Sequence, residues 1–256
     1  MKNVTYIYLV LLLIFSCSPK IIQKSESVNE ATLIKSKNTG YFHAIGREPF
    51  WNLEIAENSI RFKEVNAENE INISHVEPVK VMDANIKMYI SNSEEQEMKI
   101  IIEQKDCTDK MSDNKYFYQV KVELKKKNQT AITTFYGCGY YIADYRLYDN
   151  WVLEELKGKK VSKDNFANEV PLLEINASDK KIIGYAGCNR INGTLFQERE
   201  LLRFTNIIST RMACDEANLE QEYLKCLQSS TRYEIKNNRL YLSTPSELLI
   251  VFKKID

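Results

Sequence analysis

The chain has no charge of either sign to spare: 35 Lys and Arg stand against 35 Asp and Glu in 256 residues. Without a basic surplus no field draws it to nucleic acid, and nucleic acid is excluded as an expected partner. Histidine is nearly absent. His43 and His75 are the two in the chain, and neither lies beside a cysteine in sequence. A histidine-based catalytic triad or a zinc site needs more partners than this, so neither a metal nor a cofactor is expected. Long hydrophobic runs are missing too. The unbroken apolar stretch Tyr6 to Phe15 is about half of what a membrane-spanning helix requires. The glycines around Gly184 and Gly187 lack the Gly-Lys-Ser/Thr ending of a phosphate loop, and no helix follows them directly. No internal repeat is present.

The short apolar run has a different meaning. Lys2 precedes it and Ser16-Cys17 closes it, which is the layout of an export signal over residues 1–16. The residues Ile14-Phe15-Ser16-Cys17 resemble a bacterial lipobox, although Phe15 is bulkier than the residue usual there. The resemblance implies cleavage before Cys17, lipidation of that cysteine and attachment to a membrane through its acyl chains. Each buried methylene of such chains contributes about 0.8 kcal/mol. Ser18 after the cysteine favours, by the same resemblance, an outer-membrane lipoprotein facing the periplasm. Residues 17–38 then comprise the lipidated cysteine and a polar tether rich in Lys, Ser, Asn and Glu.

Export implies a compartment in which disulfides persist. Six cysteines occupy positions 17, 107, 138, 188, 214 and 226. Lipidation of one leaves five, so one thiol stays unpaired, and several pairings remain open.

From residue 39 to 146 the pattern is that of strands. Trp51, Leu53 and Ile55 alternate with Asn52 and Glu54, opening a run of seven or eight short segments in all that reaches Tyr136. Such spacing predicts an antiparallel barrel or sandwich. Residues 147–256 make a second β-rich unit with one helix. Leu219, Tyr223, Cys226 and Leu227 form its apolar stripe, and Asp215 is the expected cap. Cys226 on that stripe is expected to be a buried, inert thiol. Asn237-Asn238 predicts a tight hairpin. The fold expected is mainly β: a barrel or sandwich followed by a β-rich domain with one α-helix.

The segment Gly184-Tyr185-Ala186-Gly187-Cys188-Asn189-Arg190-Ile191-Asn192-Gly193-Thr194, with Ser209-Thr210-Arg211-Met212-Ala213-Cys214 and Glu222-Tyr223-Leu224, closely resembles the META, or HslJ-like, domain. That resemblance spans about Leu147 to Phe252. It implies a compact β-rich fold with one helix, ties to envelope stress, motility or drug tolerance, and no established catalytic residues. Within it a Cys188–Cys214 bridge would tie an irregular loop to the helix start. Asn189, Arg190, Asn192, Thr210 and Arg211 are the candidate ligand loop, weighed against a purely structural role for the same residues.

A second set, Gly46-Arg47-Glu48-Pro49-Phe50-Trp51 with Cys107-Thr108-Asp109-Lys110-Met111-Ser112-Asp113 and Gly137-Cys138, resembles an uncharacterised bacterial lipoprotein family. It implies a Cys107–Cys138 bridge. Phe50 and Trp51 are expected in the core. Asp106, Asp109 and Asp113 do not match an EF-hand spacing, and turn chemistry is their expected role. Carboxylates such as Glu48 and Asp109 are too generic to define a catalytic pair. Tyr136, Tyr140, Tyr141, Tyr145 and Tyr148 are expected in a core or rim rather than on a binding face.

Taken together these residues describe a lipid-anchored, non-enzymatic envelope module that binds an envelope protein or protects against stress. An inhibitor of a cell-wall hydrolase, akin to periplasmic lysozyme inhibitors, is the alternative. Non-reducing peptide mapping of protein from its native membrane should find lipid on Cys17, bridges 107–138 and 188–214, and a free Cys226. A bridge between the two halves, or an unmodified Cys17, would refute the division or the anchor.

Overall fold

The computed structural model describes residues 40–109, 113–214 and 218–255. The expected signal, Cys17 and the tether lie outside them, as does Asp215. The described residues form one compact unit built on two nine-stranded antiparallel sheets. None of their helices is long and apolar enough to cross a membrane.

The first sheet comprises β1 (Phe42–Arg47), β2 (Phe50–Ile55), β3 (Ser59–Glu64), β4 (Ile71–Ser74), β5 (Val79–Lys80), β6 (Ile86–Asn92), β7 (Gln96–Thr108), β8 (Lys115–Lys126) and β9 (Ile132–Tyr141). Their order across the sheet is β4-β3-β2-β1-β9-β8-β7-β6-β5. Alternation does the work the sequence pattern suggests. On β2 the inward positions are Trp51, Leu53 and Ile55, all at most 2% exposed. They join Ile60 and Phe62 from β3 with Ile100 and Ile102 from β7 in a single cluster. Strands far apart in the order share that core, so the sheet must curl. Phe50 corrects an expectation: it precedes Trp51 by one residue, falls on the outer face of β2 and is 43% exposed. β1 was not among the expected strands. Its inward positions after Phe42 are Ala44 and Gly46, too small to write a visible hydrophobic alternation. The indole of Trp51 lies over Gly46, where a Cβ would collide with its Nε1.

The second sheet comprises β10 (Asp149–Leu156), β11 (Lys159–Lys160), β12 (Leu172–Asn176), β13 (Lys181–Tyr185), β14 (Arg190–Glu198), β15 (Leu201–Ser209), β16 (Arg232–Lys236), β17 (Arg239–Ser243) and β18 (Leu248–Lys254). Consecutive strands pair from β12 to β18, and β10 pairs with both β12 and β18, closing the sheet into a barrel. Asn237 and Asn238 have φ of 51° and 55° in the β16–β17 turn, as a two-residue hairpin of matching twist requires. Leu153, Leu173, Leu202, Leu240 and Phe252 are among the side chains that fill the barrel.

α1 (Glu220–Ser229) packs against β15 and β18. Its stripe is as expected: Tyr223, Cys226 and Leu227 are buried. Its start is not. The cap position is Leu219, and the Asn218 side-chain oxygen accepts from the Glu220 N–H. Glu220 and Glu222 supply negative charge in the first turn.

Candidate functional site

The glycine- and asparagine-rich segment of the second half is irregular only at its start. Gly187, at φ +106°, makes the turn that brings Cys188 toward Cys214, and the two close a disulfide with a Cα separation of 6.1 Å. Arg190 to Glu198 then run as β14, which places Arg190 and Asn192 of the expected loop in a strand. Asn189 sits at the junction, 8% exposed. Its side-chain oxygen accepts from Thr210 Oγ1 and from the Met212 N–H, both at 2.8 Å, and its Nδ2 donates to Glu220 at 3.1 Å. The Asn189 N–H donates to the same carboxylate at 2.9 Å. Thr210 also accepts from the Arg190 N–H at 3.2 Å. Asn189 and Thr210 are thus spent on holding β14, the segment after β15 and α1 together. Arg190, Asn192 and Arg211 point away from this knot and are exposed. Of the five, the knot brings together Asn189 and Thr210 and leaves the other three on the exposed surface. Cys188, Cys214 and Glu220 lie within reach of one another, but the joined sulfurs offer no thiolate to a metal.

The motifs of the first half meet in a comparable way. Arg47, at the end of β1, forks onto Asp109, with Nη2 to Oδ2 at 2.7 Å and Nε to the same oxygen at 3.2 Å. Asp109 is 5% exposed, and this pair commits its carboxylate. The Cys107–Cys138 bridge, Cα atoms 5.6 Å apart, joins β7 to β9 past the intervening β8. It forms where a bulge between Gln104 and Cys107 bends β7. Cys226 is the free cysteine among the described residues, and burial pushes its thiol up from the ordinary value.

A third cluster was not foreseen, because it is made by β14 and β15. Their turn, Glu198-Arg199-Glu200, projects toward the first sheet. Glu198, 5% exposed, accepts from the Tyr118 hydroxyl and from Lys87 Nζ, both at 2.5 Å, and from Asn85 Nδ2 at 2.8 Å. Burial, with Glu198 beside it, drives the Tyr118 phenol far above its ordinary range, so it remains a donor. Next to it Arg199, in the left-handed region at φ 48°, reaches Glu57 at 2.8 Å and Glu77 at 3.1 Å. Its guanidinium carbon lies 5.0 Å from the Tyr41 ring centre. Around this seam opens a cleft of about 690 Å³. The expected tyrosines divide: Tyr141 lines this cleft, whereas Tyr136, Tyr145 and Tyr148 are more than 60% exposed. The hairpin was legible in principle, since Leu195 and Leu202-Arg203-Phe204 flank a polar quartet at 197–200.

The barrel with its bridged Asn189 knot and single helix is matched by a known family. Residues 145–256 match the META domain. No curated protein matches the chain. A protein from Burkholderia xenovorans solved by NMR is similar at 21% identity, over 51% of this chain and 97% of that one, with a TM-score of 0.35. The matched residues, 145–256, include both the knot around Asn189 and the hairpin that enters the first sheet.

A carboxylate taken out of water is stable only while its donors remain. Glu198→Ala leaves Lys87, whose side chain is 14% exposed, facing a buried void. It should lower the unfolding free energy by about 3 kcal/mol and split a single denaturation transition into two. Chemical denaturation followed by tryptophan fluorescence, with Trp51 and Trp151 one in each core, reads both effects.

A pH effect arises at the same seam. Burial, and then the nearby Arg199, lower the His75 pKa; burial also lowers that of His43. In the folded chain both rings resist protonation, so below about pH 6.5 the unfolded chain binds more protons and stability falls. Melting at pH 5.5 should occur below that at pH 7.5. His75→Gln, which keeps an acceptor for the Tyr41 hydroxyl 2.9 Å away, should shrink the difference.

Proposed function

We propose that this chain is a lipid-anchored protein of the bacterial envelope that acts by binding or by protecting the envelope under stress, and catalyses no reaction. One observation carries the reading. The META hairpin locks two β-sheets into a single body around a cleft, while several polar residues of each motif set are committed to internal bonds. Asn189, Thr210 and Glu220 brace the META barrel, and Arg47 and Asp109 brace the first sheet. A frame of this kind suits presenting a fixed surface, because side chains held in internal bonds cost little further entropy on binding. The pattern Ile14-Phe15-Ser16-Cys17 supports anchoring through Cys17, with residues 18–38 as the tether. The outer membrane, on its periplasmic face, is the proposed location.

Deleting the chain from its host should reduce survival in detergent, at elevated temperature or under antibiotics, and unchanged survival in all three would refute the reading. The hydrolase-inhibitor alternative is checked on the purified full chain. Lysozyme activity unaffected by a molar excess of it removes that alternative.

A further inference from the structure

We propose that the cleft between the two sheets binds a small molecule carrying an oxyanion, carboxylate or phosphate, on a sugar-sized ring, and that Arg203 and Arg232 hold the oxyanion. This rests on the binding-module reading above and names the site and the ligand chemistry.

The placement follows from strand alternation. On β15, Leu202 and Phe204 point into the META barrel, so Leu201, Arg203 and Thr205 face out, and all three line the cleft. Arg232 of β16 lies directly across from Leu201. Arg203 is therefore its diagonal neighbour on the same face, at a separation of about 7–8 Å between such positions. Phe196 of β14 lies directly across from Arg203.

Charge distinguishes these two arginines from the other cations of the cleft. Lys87 is paired with Glu198, Arg199 with Glu57 and Glu77, and Lys80 reaches Glu200 at 3.9 Å. Among the described residues no carboxylate comes within ion-pair reach of Arg203 or Arg232. Adjacent like charges repel, and the sheet fixes both on one wall. A carboxylate or phosphate between them relieves the repulsion, and each guanidinium fork matches its oxygens with two hydrogen bonds.

The lining beside the arginines is polar as well: Thr231 immediately precedes Arg232, and Thr205 shares the outer face of β15 with Arg203. Phe196 and Tyr41 add ring surface to the lining, suited to the apolar face of a sugar. The volume, about 690 Å³, falls within the range of small-molecule sites.

Calorimetric titration of the full chain in detergent tests this with four probes: glucose 6-phosphate, glucuronate, glucose and inorganic phosphate. Saturable binding of one or both anionic sugars, with glucose silent, is expected. Which of the two binds more tightly separates a phosphate from a carboxylate source. Arg203→Gln with Arg232→Gln should weaken that binding at least about tenfold while leaving the melting temperature within a few degrees, since both side chains are on the outer face. No saturable binding of either anionic sugar overturns the proposal, as does binding that the double variant retains. Inorganic phosphate binding as tightly as glucose 6-phosphate overturns the ring contact. The same double variant returned to a deletion strain separates the two readings. If deletion impairs survival and the variant restores it in full, the cleft assignment falls and the envelope module stands.

Discussion

The buried Glu198 carboxylate at the seam between the sheets is the interaction from which the rest of the arrangement follows. Removing a carboxylate from water costs several kcal/mol, and attraction to a cation repays this only if the remaining lone pairs also find donors. Tyr118 and Lys87 of the first sheet and Asn85 just before β6 supply three donors to a residue of the second sheet. Such a set tolerates little displacement. It gives the two sheets a defined relative placement where a merely apolar contact would allow sliding. Arg199 extends the lock on the exposed side through Glu57, Glu77 and the Tyr41 ring, and its left-handed backbone is held by those contacts.

Around that lock each half secures its own irregular parts. The bridges 107–138 and 188–214 close loops of about 30 residues, and each constrains the unfolded chain by about 3–4 kcal/mol. Each bridge stands beside a buried polar clamp. Arg47 holds the segment after β7 through Asp109, and Asn189 gathers the strands and helix of the second barrel through Thr210, Met212 and Glu220. Crosslink and clamp divide the task, because a disulfide fixes distance while a hydrogen-bonded carboxylate fixes direction. The cleft owes its shape to this stiffness.

Much of the fold can be read from the residues. Alternation at Trp51, Leu53 and Ile55, the helical stripe at Tyr223, Cys226 and Leu227, and the Asn237-Asn238 turn each report a local geometry that one side chain imposes on its neighbours. Where local rules compete, reading fails. β1 hides because its inward Ala44 and Gly46 make room for Trp51, a demand set by a residue on another strand. β14 hides because glycine and asparagine, which favour turns, are carried into a strand by pairing with β13 and β15. Phe50 is apolar yet faces outward because register, set by the core, allows its neighbour in and excludes it.

The sequence by itself determined the mainly β class, one amphipathic helix and the residues of the META motif, since periodicity and motif spacing act over a few residues. It also confined the choice of bridges to a handful of cysteines. Only the tertiary structure decided which cysteines pair, that Asn189 and Thr210 serve the frame, and that Glu198 meets Lys87 from 111 residues away. The physical reason is range. Strand and helix patterns are written by neighbours along the chain, whereas the partners of a buried charge are chosen by the path of two sheets through space.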